Sequence, residues 1–234
     1  MRTTLIAATL ASTVTAFSAT SSYAAELEMT LTNLTHGSHF TPVLVAAHPA
    51  DQHFFQAGEM ASVQMQSIAE GGDISGLQTA LEGLGAPLVA NPAGGLMAPG
   101  SSVSFMLDSG DNPVLSLAAM ILPSNDGFVG YDSWMIPEEA GTYTLYLKAW
   151  DAGTEANDEI INGGGANGAP GIPVAPGGDG GMNGTGVMDG SMNDMVHIHP
   201  GVLGDTDPQG GMSDLDSRIH RWLNPVAKLV ITVK

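Results

Sequence analysis

Apolar and polar residues alternate from Leu27 to Leu34 (LEMTLTNL), the period-two pattern of a strand with one buried face. Thr41 to His48 (TPVLVAAH) is more continuously apolar and predicts a central strand. From Gly58 to Leu84 the apolar positions recur every three or four residues with few β-branched runs, which predicts two short helices. The break falls at Gly71-Gly72, and Asp73 is the predicted N-cap of the second helix. Strands resume at Ser101 to Leu107, Val114 to Leu122, Tyr143 to Trp150 and Val226 to Val233. Gly and Pro punctuate the intervals, as in an antiparallel β-sandwich. Asn162 to Met195 breaks the pattern, being dominated by Gly with Pro, Asn, Asp and Met. With almost no bulky aliphatics it has little burial to offset its ordering entropy, which predicts a flexible Gly/Met-rich insertion over 162–195. Its glycines do not keep the nine-residue register of calcium-binding β-helix repeats.

The first residues stand outside this pattern. Arg2, the apolar and small-residue run Leu5 to Phe17, and Ser22-Tyr23-Ala24 read as a secretory signal peptide over 1–24, cleaved after Ala24. The run is too short to span a membrane comfortably, and no later one replaces it. Residues 25–234 are then one exported domain, periplasmic or secreted. The whole chain carries a formal charge of -18 from 24 acids and 6 bases. The leader holds one base and no acid, leaving five bases against 24 acids. Such a charge repels nucleic acid and anionic lipid and suits divalent cations. With no cysteine there is neither a disulfide nor a thiolate metal site.

Acids gather after two of the predicted strands. LPSNDGFVGYDSW (Leu122 to Trp134) holds Asn125, Asp126 and Asp132 around Gly127 and Gly130. WDAGTEANDEI (Trp150 to Ile160) holds Asp151, Glu155, Asn157, Asp158 and Glu159 on a turn opened by Gly153. If both loops close the same end of a sandwich, Asp126, Asp132, Asp151 and Glu155 face one another. Clustered carboxylates repel unless a cation or a proton intervenes. Calcium, with six to eight hard oxygen ligands in flexible geometry, suits such loops better than magnesium. Asp, Asn and Gly are also ordinary solvated turn formers, and spacing alone does not separate the two readings.

SNDGFVGYDS followed by WDAGTEAN resembles the spondin domain, the N-terminal module of extracellular-matrix spondins that also occurs alone in secreted bacterial proteins. LTNLTHGSHFTPVLVAAH, AGEMASVQMQSIAEGGD and PVAKLVITVK are similar as well, so the resemblance runs from about Leu27 to Lys234. It implies a mainly β, C2-like antiparallel sandwich holding calcium in loops at one end. Carried over by motif, the implied ligands are Asp126 (SND), Asp132 (GYDS) and Asp151 (DAGT), with Glu155 in the acidic place that follows. The chain departs from animal members in lacking cysteine and in its Gly/Met-rich stretch, so family roles in adhesion need not transfer.

Rival readings rest on other residues. Thioethers and imidazoles are Cu(I) ligands, so Met188, Met192, Met195, His197 and His199 form an alternative copper set, although their spacing matches no defined site. His36, His39, His48 and His53 are too irregularly spaced to argue zinc and read as packing or surface residues. No nucleophile elbow, zinc-protease helix or phosphate loop is present. A hydrolase with an unrecognised site is therefore the third reading, behind a non-catalytic binding module. NLT at Asn33 and NGT at Asn183 match the glycosylation pattern. Trp134 and Trp150 adjoin the acidic loops; they are packing residues or, if exposed, contacts to an extracellular or envelope protein or a glycan.

Overall fold

The computed structural model describes residues 24–165, 167–178, 180–181, 183–187, 193–207 and 209–234. The predicted leader lies outside these residues, apart from Ala24. Among the described residues ten strands and two helices follow one another: β1 Glu26–Asn33, β2 His39–Phe40, β3 Leu44–His48, α1 Val63–Gly71, α2 Ser75–Gly83, β4 Leu88–Ala90, β5 Ser102–Asp108, β6 Val114–Leu122, β7 Gly127–Met135, β8 Gly141–Asp151, β9 His197–Ile198 and β10 Ala227–Val233. All pairings between these strands are antiparallel, in the order β4-β3-β6-β7-β8-β10-β1-β5, with β2 added to β6 and β9 to β8. This is a mainly β, sandwich-like and nearly closed sheet, as the period-two pattern predicts.

Alternation sets the inner face. Leu27, Met29 and Leu31 of β1 are buried opposite Val233, Ile231 and Leu229 of β10, so both strands give their apolar sets to one core. Complete burial of such a side chain contributes about 1.5–3 kcal/mol. β6 is buried at all nine positions because both of its faces are covered. Leu115, Leu117, Ala119 and Ile121 face the main core, whereas Ala118 joins a second core with Met65, Ile68 and Leu77 of the helices. Ser62 caps α1 by accepting from the Met65 N–H, and Gly72, in the left-handed region at φ 69°, ends it. The predicted helix break is therefore found. The second cap falls one residue away from expectation: Ile74 occupies the N-cap position, and Asp73 accepts from the Ser75 N–H.

Two expectations are corrected. The segment after Leu122 is a loop only as far as Asp126; from Gly127 to Met135 it is strand β7, paired with β6. The 162–195 stretch is not a free loop throughout. Ile172 and Ala175 are buried in the main core, and Ile172 pairs with Ile161. Gly168 and Gly171 donate backbone N–H groups to Glu70 and Glu155. Two well-placed apolar residues anchor a segment whose mean composition suggests none.

Candidate functional site

Backbone pairing builds the acidic end. Gly127 opposes Asp151 in the β7–β8 ladder, which sets Asp126, one residue before β7, beside the end of β8. The Ala152 N–H donates to the Asp126 carbonyl and closes the corner. Gly153 turns the chain at φ 70°, with the backbone of Asn193 to Met195 packed where a side chain would start. Only glycine fits there, and this close approach lets the following residues fold back over Asp126.

Asp126 is fully buried. Its Oδ2 accepts from the N–H groups of Thr154 (2.8 Å) and Glu155 (3.2 Å), while its Oδ1 has no hydrogen-bond partner. Burial, and then the Asp151 carboxylate, push the Asp126 carboxyl up to about 7. Asp151 accepts from the Gly153 N–H at 2.9 Å and from the Asn157 amide at 2.7 Å. Glu155 Oε2 accepts from Gly171 N–H and Asn125 Nδ2, but Oε1 is buried without a partner. Burial again pushes its carboxyl up to about 7, with Glu70 and Asp126 contributing repulsion. Asn125 ties the loops together by donating to Asp158 and accepting from the Glu159 N–H. Glu159 in turn holds the N–H groups of Leu203 and Gly204.

The site thus contains buried carboxylate oxygens that no protein donor satisfies, a demand met by a proton or a cation. Asp126 and Glu155 carry such oxygens, whereas both oxygens of Asp151 are satisfied by Gly153 and Asn157. Among the described residues no group of three His, Cys, Asp or Glu side chains is already placed to hold a metal ion, so loop carbonyls or amides would have to complete a shell.

Asp132 does not belong to this constellation. Six residues along a strand is about 20 Å, and Asp132 lies that far up β7. There it accepts from His53 Nδ1 (2.6 Å) and from the Phe54 N–H (2.6 Å). The motif match read a strand as a loop, and pleat and pairing carry the side chain away. Trp134 goes with it: partly buried, it packs against the main core with its ring 5.8 Å from Tyr143. Trp150 remains next to Asp151, half-buried against Phe55, with Nε1 donating to the Gly130 carbonyl at 3.2 Å.

Of the alternative copper set, Met188 and Met192 lie outside the described residues. His199 is buried and its Nδ1 accepts from the Gly201 N–H, so its proton sits on Nε2 and neither nitrogen offers a free lone pair. Burial pulls its pKa down to about 4. His197 donates from Nδ1 to the Met195 carbonyl, leaving Nε2 open 3.7 Å from Asp151. Pattern reading passed over this His197–Asp151 contact and the buried Glu70 of α1, because neither neighbour is close in sequence. Asn33 is fully buried, with its amide donating to the carbonyls of Ser38 and Met97, so in the folded chain it is no glycan acceptor.

These elements make an antiparallel, sandwich-like β module with two helices packed on it and acid-rich turns at one end. Residues 29–159, more than half of the chain, match the family described as Spondin_N, and the chain belongs to that family. No curated protein matches it. Domains of this family are extracellular modules, generally without catalysis. No helix among the described residues is long and apolar enough to cross a membrane.

Proposed function

We propose that this chain is an exported, non-catalytic recognition or adhesion module of the cell surface, periplasm or matrix, whose acidic end is fixed by calcium. The observation that carries the reading is the pair of buried, partnerless carboxylate oxygens, Asp126 Oδ1 and Glu155 Oε1. Asp126, Asp151 and Glu155 would hold the ion, with the remaining oxygens from loop backbone, Asn side chains or water. Calcium would supply the positive charge these acids lack and fix the Asn125-Asp126 corner against the turn after β8. Trp150 stands at the margin of that rim.

Binding only to the folded state stabilises it by about 2.7 kcal/mol at a hundredfold excess over Kd. For a domain of this size that raises Tm by about 5–10 °C. Melting the purified protein in calcium, magnesium and chelator tests the reading. The rise is expected with calcium, is small with magnesium, and disappears in Asp126→Asn and Asp151→Ala. Asp132→Ala and Asp73→Ala should keep it. Equal melting temperatures in calcium and chelator would overturn the proposal.

A further inference from the structure

β8 changes partners along its length. Its last residues, Lys148 to Asp151, pair with β7, whereas Gly141 to Leu147 pair with β10. Where β7 and β8 part, a groove of about 410 Å³ opens, lined by His53, Gln56, Tyr131, Tyr146, Lys148 and Trp150 among others. A second hollow of about 430 Å³ continues it past Tyr146 and Lys148 to Asn224 and Pro225. These volumes lie within the usual range for small-ligand sites.

The floor is fixed. Gly130 has no side chain, and the Phe55 ring occupies the place where one would begin. Phe55 packs on Trp150 with ring centroids 5.2 Å apart. Asp132 accepts from His53 Nδ1 at 2.6 Å, which holds the imidazole in the groove wall. Tyr131 and Tyr146 are 37% and 60% exposed, and neither hydroxyl has a hydrogen-bond partner among the described residues. Lys148 is exposed and lies 5.8 Å from the Trp150 ring centroid. In a chain with 24 acids and 6 bases, this ammonium has no carboxylate partner among the described residues.

We propose that this groove binds a short oligosaccharide segment bearing a carboxylate sugar. Exposed aromatic faces edged by hydroxyl, amide, imidazole and ammonium ends match the two aspects of a pyranose, an apolar C–H face and a hydroxyl-bearing rim. Lys148 supplies the positive seat for a uronic carboxylate, while the Asp132 carboxylate in the wall is engaged by His53 and the Phe54 N–H. A formal charge of -18 repels long polyanions, which restricts the ligand to a short acidic stretch. The groove lies up β8 from the acidic turns, and its occupation does not depend on the calcium reading.

Calorimetric titration with oligouronides (galacturonic, guluronic, mannuronic and glucuronic), each against its methyl ester, tests the assignment. The ester keeps the ring and removes the charge. Chelator in every cell excludes bridging by calcium, so this result and the calcium melt fail independently. At least one oligouronide should bind tenfold or more tightly than its ester. Tyr146→Ala should weaken it at least tenfold, and Lys148→Gln should lower the acid to the affinity of the ester. Both side chains are exposed, so unchanged melting confirms that the variants fold. No binding by any oligouronide, equal binding of acid and ester, or binding indifferent to both substitutions would overturn the proposal. Retention of an envelope protein by the wild type but not by Tyr146→Ala, without oligouronide binding, would assign the groove to a polypeptide instead.

Discussion

Asp126 combines burial, a neighbouring carboxylate and an oxygen with no donor, and its titration follows from that combination. An acid whose pKa is raised in the fold stays protonated there while the unfolded chain has released its proton, so stability falls as pH rises from about 4 to 7. Asp126 and Glu155 both act in this sense, Glu155 less so because it is partly exposed to water. His199 acts oppositely: its pKa is depressed to about 4, so stability is lost as pH falls from its ordinary value of 6.5. Burial also lowers His39 and His220, which adds to the acid-side loss. The calcium-free protein should therefore gain about 1 kcal/mol, or about 2–4 °C in Tm, on going from pH 8 to 6.5. Below that the histidines oppose the gain. Asp126→Asn should remove a large share of the rise, which a pH series of melts in chelator would measure. Asp126 was legible in the sequence as an acid after a strand; its missing donor was not, because that depends on which distant N–H groups reach it.

At the scale of elements, β7 and the insertion decide most. Gly127 to Met135 contains two glycines, an aspartate and a serine, which read locally as a turn. Pairing with β6 makes it a strand, and a bulge opposite Leu115 to Leu117 accompanies the positive φ of Ser133. Asp132 thereby becomes a wall of the aromatic groove through His53, not part of the acidic end. The insertion behaves similarly. Ile172 is fully buried among main-core residues despite its Gly-rich flanks. Ile172→Ala should cost about 2–4 kcal/mol, read from the denaturant midpoint at unchanged m-value. A loss below about 0.5 kcal/mol, as for an exposed loop residue, would show that the segment is only draped on the core.

For the whole molecule the governing quantity is charge. Twenty-four acids against six bases keep the chain under self-repulsion, concentrated where Asp126, Asp151, Glu155 and Glu70 approach one another. Screening acts strongly on the exposed acids and weakly on the buried ones, because the Debye length is about 10 Å at 0.1 M and burial excludes salt. Raising sodium chloride from about 0.01 to 0.3 M should therefore stabilise the calcium-free protein modestly. The residual gap to the calcium-loaded protein should persist at high salt, since screening cannot reach Asp126 Oδ1. Melts at both salt concentrations, with and without calcium, check this. Closure of that gap by salt alone would place the repulsion on the surface.

The sequence by itself determined the strands with strict alternation, the β6 run, the helix pair with its Gly72 stop, and the family. Each of these rests on periodicity or on a conformational preference that acts within a few residues. It also marked Asp126, Asp151 and Glu155 as candidates, because they follow apolar strands on a glycine turn. Tertiary structure alone decided that Asp132 and Trp134 leave that group and that Ile172 joins the core. It also decided that His53, Tyr131, Tyr146 and Lys148 share a groove. The physical reason is common to all of these: strand partner and register fix where a side chain points. That choice is made by contacts between residues far apart in the chain, such as Ser133 and His53, 80 positions apart, and local pattern carries no record of it.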